Sequence, residues 1–223
     1  MDSFASIFQH AAERKGGSVQ LEALLGTPAD AATLTAFADD RYLAEMTKSV
    51  FRSGFVWKII ENKWPGFEEA FHGFDVASCA MISDEEQEQL VLDERIVRHA
   101  KKIQSVARNA AFIMDVRNEY GGFGAFLGQW PDPDFVGLWD QLKVRGDRLG
   151  GQTGRFFLRF VGKDTPLLSR DVVLALIEQE VVDKAPTSKR ALAQVQEAFN
   201  AWREESGRPL CQISRVLSCS VGD

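Results

Sequence analysis

Residues 141–171, QLKVRGDRLGGQTGRFFLRFVGKDTPLLSRD, decide the fold. The glycines of LGGQTG are poor helix-interior residues, each costing about 1 kcal/mol there. They allow a sharp turn and a close approach of the backbone to another molecule. Apolar residues in the following FFLRFV segment recur at helical spacing, which predicts that a helix begins near Thr153. The first amide N–H groups of a helix have no acceptor within it, so this turn is suited to binding a phosphate.

The charge of the same stretch also favours a phosphate partner. Between residues 141 and 163 there are six basic residues and one acid, Asp147. A glycine turn between two helices with a basic rim suits a nucleic-acid backbone. The alternative is that the turn only connects the two helices. The basic residues are Lys143, Arg145, Arg148, Arg155, Arg159 and Lys163.

Length and composition limit the remaining classes of protein. A chain of 223 residues forms one or two domains, and its 45% apolar content is enough for a hydrophobic core. The net charge of −6 argues against a protein that coats nucleic acid non-specifically. It does not exclude a local basic face, because net charge says little about how charges are distributed.

The cellular setting is predicted from membrane, targeting and cysteine patterns. No apolar stretch reaches the length of about 18 residues that spanning a membrane requires. The N-terminal residues lack the basic-then-apolar order of a signal peptide. Cys79, Cys211 and Cys219 form an odd, sparse set, which favours buried thiols in a reducing compartment over disulfides. We therefore expect a cytoplasmic protein.

The remainder of the chain has a helical pattern. Strand alternation is not evident, no repeat is visible, and the apolar spacing predicts an all-α fold with ten or more helices. Pro65 is predicted in the first turn of a helix, where its missing N–H is tolerated. The expected organisation is a single unit over 1–223, with two lobes as the alternative. In that alternative, 1–40 and 170–223 flank the middle of the chain.

Several motifs resemble the DNA-3-methyladenine glycosylase I family. GFVW at 54–57 matches the family's Gly-x-x-Trp, and FHGFD at 71–75 matches its Phe-His-x-Phe-Asp stretch. IVRHAKKI at 96–103 matches its Ile-x-Arg-His-x-x-Lys-Ile string. The later LKVRGDRLGGQTGRFFLRF is similar to the family's helix-hairpin-helix, here the hairpin motif of 141–163. The similarity covers about residues 50–165.

The resemblance implies a two-lobed, all-α fold of the helix-hairpin-helix DNA glycosylase superfamily. In such proteins a base is flipped out of DNA into a cleft between helical lobes. The family binds a structural zinc through two Cys and two His from its terminal segments. Here the N-terminal segment has no Cys and the C-terminal segment has no His, so four ligands are not available. We therefore expect no metal and no organic cofactor.

A second departure from the family lies in the base pocket. The family places a Glu eight residues before the pocket Trp, and Ser49 stands at that position here. A hydroxyl cannot supply the negative charge that favours a cationic purine. The resemblance assigns Trp57 to the pocket wall, with Ser49 and Glu45, one helical turn apart, as further pocket residues. The alternative for Trp57 is an ordinary core residue.

The resemblance to the superfamily makes Asp171 the candidate catalytic residue. An Asp at the start of the helix after the hairpin serves there as the catalytic carboxylate, and LLSRDVV places Asp171 comparably. A carboxylate near C1′ stabilises the positive charge that builds on the sugar and can orient a water. The alternative is an ordinary first-turn Asp that the helix dipole favours.

Contacts with DNA are expected mainly at the hairpin. Its backbone candidates are Gly151, Gln152, Thr153 and Gly154. No lysine stands beside the hairpin in position to form a Schiff base, so cleavage of the strand is not expected. For the basic candidates, charges on solvated helix faces are the alternative. These candidates are Arg148, Lys163, Arg98 and Lys102.

The leading functional prediction is a monofunctional base-excision repair enzyme. It removes alkylated purines such as 3-methyladenine by hydrolysing the N-glycosidic bond after base flipping. Its expected partner is double-stranded DNA with a damaged base, bound by a monomer at the nucleoid. The alternative is a non-catalytic helix-hairpin-helix protein that binds DNA or recognises lesions. A helical protein-interaction domain is a third possibility, but it would leave the basic hairpin unexplained.

Overall fold

Helices form all the regular secondary structure of residues 1–222, the part of the chain that the computed structural model describes. No strand occurs within those residues, which confirms the all-α prediction. None of their helices is long and apolar enough to cross a membrane. Two short 3₁₀ turns occur at His72–Phe74 and Asp132–Asp134. The α-helices are α1 (Phe4–Arg14), α2 (Ser18–Glu22), α3 (Ala31–Ala36), α4 (Asp39–Arg52), α5 (Trp57–Ala70), α6 (Val76–Ala80), α7 (Asp84–Leu92), α8 (Ala100–Tyr120), α9 (Phe123–Gln129), α10 (Phe135–Arg145), α11 (Gln152–Phe160), α12 (Arg170–Glu178), α13 (Lys189–Ser206) and α14 (Leu210–Ser220).

The chain divides into two compact units. The first contains Met1–Pro28, Pro131–Leu138 and the chain from Asp164 onward. The second contains Ala29–Trp130 and Trp139–Lys163. Both units are therefore assembled from segments that are distant in sequence.

Helix α14 forms the centre of the first unit. Its side chains Leu210, Ile213 and Leu217 are fully buried, and α1, α12 and α13 pack around them. The start of α14 is capped from a distance, because the Asp164 carboxylate accepts hydrogen bonds from the Leu210 N–H (2.9 Å) and the Cys211 N–H (2.8 Å). A carboxylate at this position satisfies two otherwise unpaired donors and complements the helix dipole.

Helices α4 and α8 form the centre of the second unit. Met46 and Phe51 of α4 and Ile113 of α8 are fully buried between them and their neighbours. Because the hydrophobic faces of α4 and α8 are committed to this core, their other faces are available to build the site. The cysteines Cys79, Cys211 and Cys219 are buried free thiols, as predicted.

The prediction for Pro65 was wrong. Pro65 lies in the interior of α5, which continues from Trp57 to Ala70 without a break. A proline at such a position removes one helical hydrogen bond and costs about 3 kcal/mol. Burial of Ile60 and Phe67 on either side of it offsets that cost, since both anchor the helix to the core. Local sequence favours a helix start here, and tertiary packing overrides it.

Candidate nucleic-acid interface and base cavity

The hairpin is the turn between the end of α10 at Arg145 and the start of α11 at Gln152. Gly154 is packed so closely that a Cβ there would lie 2.1 Å from the carbonyl oxygen of Leu149. Gly151 has φ 61° and ψ −136°, a conformation essentially confined to glycine. A Cβ at Gly151 would meet nothing within 4 Å, so its backbone borders open space.

Asn109 of α8 clamps the hairpin through its side-chain amide. Its Nδ2 donates to the carbonyl oxygen of Asp147 (3.1 Å), and its Oδ1 accepts from the Asp147 N–H (2.8 Å). The neighbouring Arg108 adds an ion pair to the Asp147 carboxylate at 3.0 Å. The Asn109 side chain is fully buried and both hydrogen bonds are partly buried, which reduces competition from water. The turn is therefore fixed by the second unit's longest helix as well as by its own glycines.

The hairpin leaves donors available at the start of α11. No side chain caps this helix, and the N–H groups of Thr153 and Gly154 have no acceptor among the described residues. Next to them, Arg148 is exposed and has φ 63°, an unusual conformation for a residue with a side chain. Backbone donors beside an exposed guanidinium are suited to a phosphate.

Fewer basic side chains around the hairpin are available to a ligand than the sequence indicated. Arg145 is paired with Glu119 at 2.6 Å, which leaves less of its charge for a ligand. The guanidinium of Arg155 lies 4.1 Å from the centre of the Trp139 ring, and burial lowers its pKa to about 10. Some of the basic residues that the sequence places around the hairpin therefore form contacts within the fold.

Lys163 is one of the predicted phosphate contacts that the fold uses internally. It is buried, and its Nζ donates to the carbonyl oxygen of Trp130 at 3.0 Å. In contrast, Lys143 and Arg148 are exposed and form no ion pair with any residue of 1–222. The placement of Lys163 favours a structural role over contact with DNA.

Lys102 also has a structural position. It is buried, and its Nζ donates to the carbonyl oxygens of Phe51 (3.3 Å) and Ser53 at the end of α4. Burial lowers the pKa of Lys102 to about 8, with a smaller contribution from Arg148. Arg98, by comparison, is exposed and lies 3.6 Å from Glu94.

An aromatic cavity of about 130 Å³ lies beside the hairpin, in the second unit. Trp57 lies at the wall of this cavity and is 46% exposed. Its ring packs edge-to-face against the rings of Phe156 and Phe160, with 5.9 Å between ring centres in each pair. The structure thus brings together Ser49 and Trp57, two of the predicted base-pocket residues. The lining consists of Ser49, Arg52, Ser53, Trp57, Gln152, Thr153, Phe156 and Phe160.

Arg52 is a residue of this cavity that the sequence reasoning missed. Its guanidinium lies 5.1 Å from the centre of the Trp57 ring and 4.7 Å from that of Phe160. It forms ion pairs with Glu45 (3.2 Å) and Glu61. A signal was present, because Glu45, Ser49 and Arg52 follow the i, i+4, i+7 spacing of one helix face.

Glu45, predicted as a pocket residue, does not line the aromatic cavity. It forms an ion pair with Arg52, which does line it. Burial raises the pKa of Glu45, although the charges of Arg52 and Lys48 oppose that shift. Ser49 does line the cavity, and its hydroxyl oxygen is buried without a hydrogen-bond partner among the described residues. Buried polar atoms without a partner are rare in folded proteins, so this hydroxyl is free to bind a water or a ligand group.

A second cavity of about 420 Å³, the hairpin cavity, adjoins the first. It shares Ser53 and Thr153 with the aromatic cavity. Thr153 therefore links the turn that presents backbone donors to the cavity that contains Trp57. The hairpin cavity is lined by Val50, Ser53, Lys102, Asp147, Arg148, Gly150 and Thr153.

Asp171 lies in the first unit, in the first turn of α12. Ser169 caps that helix, its Oγ accepting from the Val172 N–H at 3.2 Å. The Asp171 side chain is exposed and makes no hydrogen bond or ion pair with any residue between 1 and 222. Its carboxylate is therefore available to a ligand.

The donor set for a structural zinc does not fit this chain. The two C-terminal thiols, Cys211 and Cys219, are buried in α14. No group of three or more His, Cys, Asp or Glu side chains is gathered anywhere in residues 1–222. A structural zinc requires four such ligands in tetrahedral contact.

Part of this chain is similar to a known protein family and to a curated protein. Residues 34–138, just under half of the chain, match the model of the methyladenine glycosylase family. The DNA-3-methyladenine glycosylase 1 of Escherichia coli strain K12 is 36% identical over 76 residues. That match covers 34% of this chain and 41% of the relative, so the chain spans about two fifths of that protein's length.

Solved structures extend the similarity of fold over more of the chain. A 3-methyladenine DNA glycosylase I from Staphylococcus aureus has a TM-score of 0.53 and 21% identity, covering 73% of this chain and 95% of its own. An 8-oxoguanine glycosylase/lyase from Methanocaldococcus jannaschii, in complex with DNA containing 8-oxoguanine, has a TM-score of 0.50 and 12% identity, covering 95% of both chains. The resemblance seen in the sequence is therefore confirmed: residues 34–138 are similar to the methyladenine glycosylase family, and the chain shares its fold with the solved glycosylase structures.

Proposed function

We propose that this protein is a monofunctional DNA glycosylase that releases alkylated purines, the class that includes 3-methyladenine, from double-stranded DNA. The observation that carries the proposal is the junction at Thr153. There the backbone donors of the hairpin and the aromatic cavity of Trp57 meet. A site that binds a phosphate and a ring next to each other fits one nucleotide turned out of a duplex.

The hairpin would hold the strand by its backbone. Thr153 and Gly154 supply N–H donors, and Arg148 supplies a positive charge to the same anion. Because Gly151 borders open space, a phosphate can approach the peptide without meeting a side chain. These contacts do not read sequence, which suits an enzyme that searches DNA for damage.

The aromatic cavity would hold the base. Stacking on an aromatic ring contributes about 1–3 kcal/mol, which is comparable with the few kcal/mol that extruding a base costs. A damaged base is easier to extrude than a paired one, so this balance favours lesions. Trp57 is exposed enough to offer its ring and is held in orientation by Phe156 and Phe160.

Asp171 is the proposed catalytic carboxylate. Breaking the bond from C1′ to the base nitrogen leaves positive charge on the sugar, which a nearby carboxylate stabilises. A water then adds its oxygen to C1′ and gives a proton to that carboxylate, and the base keeps the bonding electrons. A ring-alkylated base leaves as a neutral molecule. The Asp171 side chain has no competing partner among the described residues.

A second, lysine-dependent step is not part of the proposal. Lys102 lines the hairpin cavity, but its ammonium group donates to the carbonyl oxygens of Phe51 and Ser53. An amine must be free to attack the sugar aldehyde, so this engagement favours base release without strand cleavage.

The test is base release from duplex DNA treated with a methylating nitrosourea, with 3-methyladenine, 7-methylguanine and O6-methylguanine separated by chromatography. The protein should release at least one of these bases, and Asp171→Asn should lower the rate at least about 100-fold, because a fixed charge is lost. Asp183→Asn, another exposed acid of the same unit, is the matched control and should keep full activity. Undiminished release by Asp171→Asn would remove Asp171 from the mechanism.

A non-catalytic DNA-binding protein is the second candidate function. It is favoured by Ser49, which stands where the family has a carboxylate and lines the cavity with an unpaired hydroxyl. In that case lesion-containing duplexes would shift in an electrophoretic mobility assay, while no methylated base would be released by the unaltered protein.

A further inference from the structure

The lining of the hairpin cavity carries more positive charge than the fold neutralises. Lys102 and Arg148 both line this cavity, and neither forms an ion pair with any residue of 1–222. Asp147 is the one carboxylate among the described lining residues, and it is paired at 3.0 Å with Arg108, which does not line the cavity. Two cations therefore border one cavity whose single carboxylate is already engaged.

Lys102 is the less expected of the two cations because it is only 4% exposed. Its Nζ donates to the carbonyl oxygens of Phe51 and Ser53 and lies 4.5 Å from the centre of the Phe55 ring. These groups accept a hydrogen bond or attract a cation, but none of them carries a formal charge. A buried charge is costly without a counter-charge, so this environment favours an anion bound nearby.

The position of the cavity indicates which anion it fits. Thr153 lines it, and the Thr153 N–H at the start of α11 has no acceptor among the described residues. The same residue lines the aromatic cavity, where the proposed function places the base. A phosphate that is joined covalently to the flipped nucleotide would be held beside that base, which favours a phosphodiester of DNA over a free phosphate ion.

We propose that Lys102 and Arg148 together bind the phosphodiester of the flipped nucleotide in the hairpin cavity, and that Lys102 takes up a proton when this phosphate binds. The inference rests on the proposed function and adds a buried cation to its strand-binding site. Lys102 acts here as a charge and not as a nucleophile. Its hydrogen bonds to carbonyl oxygens are therefore compatible with this role.

Proton uptake follows from the surroundings of Lys102 in the free protein. Burial, and to a smaller extent repulsion from Arg148, lower the pKa of Lys102 to about 8. A phosphate beside the two cations offsets that repulsion and favours the ammonium form, so it raises this pKa. The other ionisable groups near Lys102 are Asp147 in the cavity and His99 one turn earlier in the chain. None of these residue types ordinarily changes its charge near pH 8.

The affinity for DNA should consequently depend on pH. Below pH 8 the lysine is already charged, so binding of the phosphate requires no protonation. Above pH 8 a proton must be taken up first, and each further pH unit weakens binding by up to about ten-fold. For a duplex that contains a tetrahydrofuran abasic site, we expect the Kd to rise about ten-fold between pH 7 and pH 9.

Isothermal titration calorimetry measures the proton directly. The full chain is titrated with this duplex at pH 8 in Tris and in HEPES, which ionise with different heats, so the difference gives the protons taken up per complex. The parent protein should take up about half a proton, because an amine with a pKa of about 8 is half charged at that pH. Lys102→Met should take up none. Lys101→Met, which changes the exposed neighbour, is the matched control and should behave as the parent does.

Two further measurements guard against a fold that Lys102→Met disturbs, which melting by circular dichroism would identify. Lys102→Arg keeps a charge that does not titrate near pH 8, so it should bind DNA at pH 7 as the parent does and take up no proton. In addition, a neutral methylphosphonate replaces each phosphate around the abasic site in turn. One of these replacements should abolish proton uptake by the parent protein.

Several results would overturn the inference. Absence of proton uptake by the parent protein is one, and equal uptake by the parent and folded Lys102→Met or Lys102→Arg is another. Uptake that no single methylphosphonate removes would also overturn it, because the proton would then not be linked to one phosphate.

The base-release assay separates failure of this inference from failure of the proposed function. Release of methylated bases by a protein that takes up no proton would uphold the glycosylase and overturn the role of Lys102. Proton uptake that depends on Lys102, without release of any base, would uphold the phosphate site and overturn the glycosylase. Absence of DNA binding would overturn both.

Discussion

The hairpin and the aromatic cavity are neighbours in the second unit, and they are built in opposite ways. In the hairpin, Asn109 pairs both backbone groups of Asp147, and Gly154 packs against the carbonyl of Leu149. In the cavity, the Ser49 hydroxyl has no partner among the described residues, and Trp57 is nearly half exposed. The hairpin backbone is thus fixed around Asp147 and Gly154, whereas the cavity contains a hydroxyl without a hydrogen-bond partner and a partly exposed ring.

This difference matches two separate tasks in the proposed function, which are binding of a phosphate and recognition of a base. A phosphate is the same at every nucleotide, so a turn that binds it gains from being rigid before contact. A base varies, and the groups that distinguish it must be unpaired until it arrives. We therefore expect substitutions in the hairpin to change mainly stability and substitutions in the cavity to change mainly which base is bound.

The largest expected effect comes from filling the hairpin. Gly154→Val places atoms against the Leu149 carbonyl, and the backbone shift should lower the free energy of unfolding by about 3 kcal/mol. Gly150→Ala is the matched control, because its Cβ would meet only the flexible Lys143 side chain, at 3.3 Å. Urea denaturation measures both variants. A Gly154→Val protein as stable as the control would show that the turn is not tightly packed.

Removing the clamp should have the next largest effect. Asn109→Ala leaves the partly buried N–H and carbonyl of Asp147 without their side-chain partner and should cost about 2 kcal/mol of stability. Asn109→Asp retains an acceptor for the Asp147 N–H but places a second oxygen against the Asp147 carbonyl, so it should also lower stability. DNA affinity should fall with Asn109→Ala even under conditions where the protein stays folded, since the turn loses its fixed shape. Unaltered affinity in the folded variant would make the clamp irrelevant to binding.

A substitution in the aromatic cavity should change ligand binding more than stability. Trp57→Ala removes a partly exposed ring, so stability should change little. Binding of a lesion-containing duplex should weaken about ten-fold, or about 1.4 kcal/mol, because base stacking is lost. Binding of an undamaged duplex is the internal control and should stay constant. An equal loss for both duplexes would place Trp57 in strand binding instead of base reading.

The smallest expected effect is at Arg148, where one substitution should raise stability and weaken DNA binding. Arg148→Gly relieves the left-handed backbone conformation and should stabilise the fold by about 1 kcal/mol. It also removes the proposed phosphate contact of Arg148, so the slope of log K against log salt should decrease by about 1. Lys143→Gly, an exposed basic residue in α10 without backbone strain, should lower stability instead. An unchanged salt slope in Arg148→Gly would separate Arg148 from the DNA.

The hairpin was accessible from sequence because its determinants are local. Glycines at fixed spacing and the apolar pattern after Thr153 are sufficient to predict a turn and the start of α11. The clamp was not accessible, since Asn109 and Asp147 are 38 residues apart and nothing in either neighbourhood indicates the pairing.

The cavity was accessible only in part. Family resemblance located Ser49 and Trp57, but Arg52 acquires its position from Glu61 on α5 and Phe160 on α11. In the sequence, Arg52 is an ordinary basic residue at the end of a helix. Its place in the cavity follows only from the packing of α5 and α11 against α4. Lys163 shows the converse, because sequence cannot distinguish an exposed lysine from one that a backbone carbonyl binds in the interior.

Helix α8 joins the two regions mechanically. Near its start, Lys102 binds the last carbonyls of α4, the helix that carries Ser49 and Arg52. Two turns later, Asn109 binds the hairpin. Helix α8 therefore contacts both the hairpin and the helix that carries Ser49 and Arg52, so its length fixes the spacing between these two parts of the proposed site.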